Sequence, residues 1–135
     1  MIFKKLEPYV ILPIKMHKTD CGYDCFLPED IIIKAHEVKK IDLKVSIKLK
    51  KNECAIICAR SSIAIQNIIC NTSPIDCGYN GPVHAIVHNI SNNDMLFKSK
   101  DRICQIVIFN IPFKKERFIS KAKRNNGSFG SSGKN

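Results

Sequence analysis

Along residues 41–49 every second position is apolar: Ile41, Leu43, Val45, Ile47 and Leu49 alternate with Asp42, Lys44, Ser46 and Lys48. Successive side chains of a strand point to opposite faces, so this period of two predicts a half-buried strand. Further β-branched runs at residues 55–59, 68–70, 83–90 and 103–111 predict more strands. Turn-forming residues separate them at 51–52, 71–74, 91–93 and 98–101. The one stretch suited to a helix is a turn or two over residues 62–66. Many short strands at this spacing predict an all-β sandwich, jelly roll or barrel. No internal repeat is present. After Lys121 apolar residues nearly vanish and Asn, Gly, Ser and Lys dominate. The pattern therefore predicts one β domain over residues 1–121 and a flexible tail over 122–135.

Composition changes this picture little. A chain of 135 residues, 44% hydrophobic and 25% charged, suits one globular domain with an ordinary core. The apolar run at residues 9–14 is short and holds Pro13, too little for a signal segment or a membrane span. Seven cysteines, odd in number and irregularly spaced, suit free thiols in a reducing compartment. The expectation is a soluble intracellular protein in cytoplasm or nucleus, with no membrane partner. The formal charge of +10 suits a polyanionic ligand. Charge alone, with few aromatics and no recognition motif, does not predict nucleic-acid binding.

Two segments carry candidate chemistry. The tail places Arg124, Phe129, Gly130, Ser131 and Ser132 within nine positions. An aromatic face, a planar guanidinium and close-approaching backbone suit a ligand with a flat ring and phosphates. The alternative for such an end is plain disorder. In the middle, Asp76 and Tyr79 share a tight segment. Asp76 could be a solvated turn residue or an acid–base group, and Tyr79 could pack in the core. Arg60, Ser61 and Gln105 supply a fork, a hydroxyl and an amide suited to phosphates. Arg60 could instead form a structural ion pair with Asp76 or Asp101, and Ser62 could be structural. Cys54 and Cys58, like His84 and His88, are four apart, which on a strand is about 13 Å and too far for one metal ion.

Five stretches stand in order: Cys21-Gly22-Tyr23-Asp24, Ala59-Arg60-Ser61-Ser62, Ile75-Asp76-Cys77-Gly78-Tyr79-Asn80-Gly81, Asp101-Arg102-Ile103-Cys104-Gln105-Ile106, and the tail. Together they resemble the five ordered motifs of the trimeric dUTPase family, over residues 22–133. The resemblance implies a jelly-roll-like β-sandwich and hydrolysis of dUTP to dUMP and pyrophosphate, limiting uracil incorporation into DNA. It implies that Asp76 is the general base for water attacking the α-phosphorus. Asp24 would hold Mg2+ through water, and Arg60, Ser61, Ser62, Gln105, Arg124, Gly130, Ser131 and Ser132 would contact phosphates. Tyr79 would pack on the deoxyribose and exclude a 2′-hydroxyl. A β-hairpin at 71–76, including Asn71 and Ile75, would read the uracil edge, with Phe129 stacked over the base. Closure of the tail would exclude bulk water. The assembly implied is a homotrimer with sites shared between subunits.

The chain departs from the family pattern at Pro82, at Asn125 and Ser128 in the tail, and at Lys100, where a glycine usually precedes the fourth motif. Cys21, Cys25 and Cys104 replace small or apolar residues, and the segment 71–75 is one residue shorter than a common bacterial form. A related family, the dCTP deaminases, shares an R-S-S segment but uses a glutamate in the strand after the third motif. Here that strand carries Ile86 at that place and no carboxylate. A non-catalytic or regulatory binding protein on the same scaffold is the other alternative. The joint presence of Asp24, Arg60, Ser61, Asp76, Tyr79, Gln105, Arg124 and Phe129 weighs against it, because a binding module has no need of all eight.

Overall fold

The structure, a computed structural model, describes residues 1–112. The expected tail of residues 122–135 therefore lies outside the described residues. Ten strands and one helical turn form: β1 (Ile2–Lys5), β2 (Gly22–Phe26), β3 (Ile31–Ile33), β4 (Val38–Lys48), β5 (Glu53–Ala59), α1 (Ser61–Ala64), β6 (Ile68–Cys70), β7 (Ser73–Ile75), β8 (Pro82–Asn89), β9 (Met95–Phe97) and β10 (Arg102–Asn110). One sheet has the order β1-β4-β8-β6, a second β2-β10-β5-β7, and β3 pairs with β9. All these pairings are antiparallel.

The alternating pattern becomes burial. Ile41, Leu43, Val45, Ile47 and Leu49 turn inward, as do Val83, Ala85 and Val87 of β8. Ala55 and Ile57 of β5 meet them from the other sheet in one shared core. Asn89 is fully buried, and its polar atoms are all used. Its amide nitrogen donates to the carbonyls of Ile33 and Asn93, and its oxygen accepts from the Ser91 backbone and hydroxyl. Such satisfaction is what makes a buried amide tolerable.

The five strands read from the periodicity are all present; β6 matches at both ends and the others are displaced at one or both ends by one to three residues. The helix is one turn at Ser61–Ala64, slightly earlier than the pattern suggests. β1, β2, β3, β7 and β9 are not marked by the pattern, and all but β2 have only three or four residues, too few to show a period. One expectation is corrected. β6 pairs with β8 while β7 pairs with β5, so residues 71–76 cross from one sheet to the other and do not form a β-hairpin.

Three thiols lie where the sheets meet. Cys25 of β2, Cys70 of β6 and Cys104 of β10 are buried; the Cys25 thiol donates to the Tyr23 carbonyl and the Cys70 thiol to the Asn71 carbonyl. Hydrogen bonding to Cys104 and then burial push the Cys70 thiol far above the ordinary range. The Cys104 thiol is raised as well, chiefly by its bond to Cys25. The chain uses these cysteines as small core residues. Cys21 and Cys77 are exposed.

The turn before β10 explains a departure from the family pattern. Lys100 has φ of 72°, the left-handed region. The turn is closed by Asp101 N–H to the Lys98 carbonyl (3.0 Å) and by the Lys98 N–H to the Asp101 carboxylate (2.9 Å). The Lys100 N–H donates to the Leu27 carbonyl at 2.8 Å. The chain thus keeps a glycine's backbone conformation with a side chain in place. Two outcomes follow. Lys100→Gly should leave the fold intact and raise stability by about 1 kcal/mol or less, read by urea denaturation; a clear loss would show that the lysine side chain has a compensating contact. Iodoacetamide should label Cys21 and Cys77 in the native protein and reach Cys25, Cys70 and Cys104 only after denaturation, as peptide mass spectrometry would report.

Candidate functional site

The centre of the site is a carboxylate between two arginines. Asp24 projects from β2. Its Oδ1 accepts from Arg60 Nε at 2.8 Å and its Oδ2 accepts from an Arg102 guanidinium nitrogen at 2.9 Å. The Asp24 and Arg60 side chains are 13% and 22% exposed, so the pair is largely shielded yet reachable from one side. Arg60 sits just past the end of β5 and caps α1. One of its terminal nitrogens also donates to the Ser62 hydroxyl at 3.1 Å and the Arg102 carbonyl at 3.4 Å. The ion pair considered for Arg60 is thus real, but its partner is Asp24 and not Asp76 or Asp101. The Asp101 carboxylate is taken by the Lys98 backbone.

A β-bulge makes the arrangement possible. In a regular strand, residues 102 and 105 would face opposite sides. The register of β10 against β2 shifts between Arg102 and Cys104, and Ile103 and Cys104 are both buried. The extra residue turns Arg102 to the same face as Gln105. Gln105 lies directly across from Asp24 on one side and Cys58 on the other. Its amide nitrogen donates to the Ala59 carbonyl at 3.0 Å. Gly22 packs under the Gln105 carboxamide, where a Cβ would collide with its oxygen. Burial pushes the neighbouring Cys58 thiol up, with smaller effects from Cys70 and Cys21.

These residues line a cleft of about 420 Å³, together with Ser61 and with Met16, His17, Asp20 and Cys21 of the preceding loop. The structure therefore brings together Asp24, Arg60, Ser61 and Gln105, with Ser62 bonded behind Arg60. Arg102, His17 and Asp20 were not singled out by sequence. Arg102 belongs to the fourth motif, but only the bulge gives it a face. Each Asp24 oxygen accepts one N–H here, and a carboxylate oxygen has two acceptor positions. The spare position on each oxygen can accept a hydrogen bond from water without displacing an arginine. Among the described residues, no group of three His, Cys, Asp or Glu side chains gathers to ligate a metal directly.

The second half of the expected site lies elsewhere. Asp76 is exposed and opens a turn in which the Tyr79 N–H donates to its carbonyl at 3.0 Å. Tyr79 is in the core, and its hydroxyl donates to the Pro82 carbonyl at 2.8 Å. The packing alternative weighed for Tyr79 therefore holds in the single chain. Gly81 presses on that ring, leaving no space for a Cβ. The Asn71 N–H donates to the Ile86 carbonyl at 2.8 Å, Ile75 is buried, and Asn71 is exposed. β7, which leads into Asp76, is at the opposite edge of the sheet from β2, with β10 and β5 between them. Three inter-strand spacings put those edges roughly 14 Å apart. Neither Asp76 nor Tyr79 lines the cleft. Arg124, Phe129, Gly130, Ser131 and Ser132 lie outside the described residues.

Comparison with known proteins bears on this arrangement. The dUTPase family model matches residues 8–133. The chain is 32% identical to the deoxyuridine 5'-triphosphate nucleotidohydrolase of Clostridioides difficile over 136 residues, covering 96% of this chain and 95% of that protein. It is 28% identical to the Pol polyprotein of an ovine maedi visna related virus, over 98% of this chain but only 12% of the polyprotein. Among solved structures, a dUTPase of Staphylococcus bacteriophage 80alpha with dUpNHpp superposes with a TM-score of 0.77 at 26% identity, covering 98% of this chain and 97% of that one. A dUTPase from phage phi11 of S. aureus, described with a structural Mg(II) ion, superposes with a TM-score of 0.80 at 19% identity, covering 91% and 98%. With a match that runs through all five motifs and an all-β fold shared over nearly its whole length, this chain belongs to the dUTPase family.

Proposed function

We propose that this chain hydrolyses dUTP to dUMP and pyrophosphate, using Mg2+, in a homotrimer whose sites are shared between subunits. The observation that carries this reading is the cleft itself. Two guanidiniums, a hydroxyl and an amide converge beside a carboxylate at three of the five family motifs. Arg60 and Arg102 each keep further N–H groups beyond those that hold Asp24, and such forks suit phosphate oxygens. Ser61 and Gln105 add neutral donors that orient the chain of phosphates. Magnesium, when bound, would offset the phosphate charge and polarise the α-phosphorus. Asp24 would hold it through water.

Asp76 would take a proton from the attacking water as pyrophosphate leaves. In one chain it lies at the far edge of the sheet from Asp24. A second chain that brings its own Asp76 turn over this cleft resolves the separation, which supports the shared-site trimer. In the same reading Asn71 and Ile75 frame the uracil, Tyr79 closes the sugar side, and Phe129 stacks on the base. Arg124, Gly130, Ser131 and Ser132 complete the phosphate contacts.

Pyrophosphate release from dUTP, UTP, dTTP and dCTP, with and without magnesium, tests the reading. Release should be confined to dUTP and should need the ion. Asp76→Asn should lower kcat by at least about a thousandfold with nucleotide binding retained; full activity in that variant would remove Asp76 as the base. Gly22→Ala should displace the Gln105 amide and cost about tenfold in kcat/KM with little change in urea midpoint. Unchanged kinetics would show that Gln105 is not a phosphate donor.

A further inference from the structure

The cleft has a second wall that, Cys21 apart, lies outside the five dUTPase motifs. It is formed by the loop between Ile14 and Gly22, which contributes Met16, His17, Asp20 and Cys21. The loop starts and ends on the residue at the centre of the site. The Asp24 N–H donates to the Ile14 carbonyl at 2.7 Å, and the Ile14 N–H donates to the Asp24 carbonyl at 3.2 Å. Its tip is closed by its own bonds. The Asp20 N–H reaches the His17 carbonyl at 3.1 Å, and the Asp20 carboxylate accepts the His17 N–H at 2.8 Å. Lys15 is drawn aside over the Tyr23 ring, 5.1 Å from its centre. The position of His17 relative to the arginines is therefore fixed at both levels.

The charges of the lining sharpen the point. Arg60 and Arg102 are positive, and Asp20 and Asp24 are negative. The fixed charges cancel. Cys21 is the remaining titratable thiol of the wall, and Lys18 lies on the loop outside the lining. Among the described lining residues His17 is thus the one imidazole beside charges that balance. Histidine is the side chain suited to change charge near neutral pH. A bound polyphosphate, strongly negative, favours the charged ring.

We propose that His17 is a polyphosphate-binding residue of this site, meeting the nucleotide from the loop wall of the cleft and tightening binding when its ring is charged. The inference rests on the dUTP reading above and adds a residue outside the five motifs. Because the turn uses only the backbone of His17, the side chain can be changed without loss of the loop.

The test is the dissociation constant of the imido analogue dUpNHpp, measured by calorimetry from pH 6 to 8.5 with magnesium in the wild type, His17→Asn and His17→Lys. Binding of dUMP, which lacks the outer phosphates, is measured alongside. At pH 6, His17→Asn should bind dUpNHpp about five- to tenfold more weakly than wild type, and the two should converge by pH 8.5. His17→Lys should remain tight at both ends of the range. All three should bind dUMP alike. An Asn variant that follows the wild-type pH curve, or that loses dUMP and dUpNHpp equally, would overturn the role given to His17 while leaving the dUTP reading in place. A wild type that binds neither nucleotide at any pH would overturn both.

Discussion

The ion triad of Asp24, Arg60 and Arg102 is the constraint on which the site depends. It joins β2, the junction of β5 with α1, and the start of β10, three places brought together only by sheet pairing. Two cations share one carboxylate, whose negative charge offsets their mutual repulsion while each keeps spare N–H groups. The pair is shielded enough for its hydrogen bonds to hold geometry and open enough to meet a ligand. An isolated buried charge here would be costly, and the three-way pairing removes that cost. The Asp24 backbone then anchors the Ile14–Gly22 loop, so both walls of the cleft are referred to one residue.

The fold supplies this geometry through one irregularity. The bulge in β10 buries Ile103 and Cys104 together and sets Arg102 beside Gln105. Cys104 on the inner side meets Cys25 and Cys70, each next in sequence to a residue of the candidate site: Asp24, Gln105 or Asn71. The thiol row is packing material placed directly under the chemistry. A change of volume there would be felt at the surface, because cores transmit strain and do not absorb it. The same economy appears at Lys100, where the turn into β10 keeps a left-handed backbone despite its side chain.

The division of the site is equally a product of topology. β7 joins the sheet of β2 but at its other edge, and the chain then crosses to β8 in the opposing sheet. Asp76 and Tyr79 consequently lie apart from the cleft that holds Asp24. A single chain presents the Asp24 cleft and the Asp76–Tyr79 turn at separate edges of one sheet, which is the physical reason the proposed site is shared between subunits. A monomer would need to bend its own sheet to join them.

Much of this was legible in the chain. The period of two in β4 and β8 determined the strands and their inward faces, since a one-residue slip would expose the whole apolar set. Five motifs in order marked Asp24, Arg60, Ser61, Asp76 and Gln105 before any geometry was known. The short strands β1, β3, β7 and β9 were not legible, because three or four residues carry no reliable period and their pairing is decided by neighbours. Residues 71–76 looked like a hairpin because turn chemistry is local, whereas the choice of partner sheet is not. The partner of Arg60, the role of Arg102 and the placement of His17 came only from the tertiary structure. Sequence fixes which side chains are present and which way a strand's faces point. Which of those side chains meet depends on register, a bulge and the closure of a loop, and these are settled by packing across the whole domain.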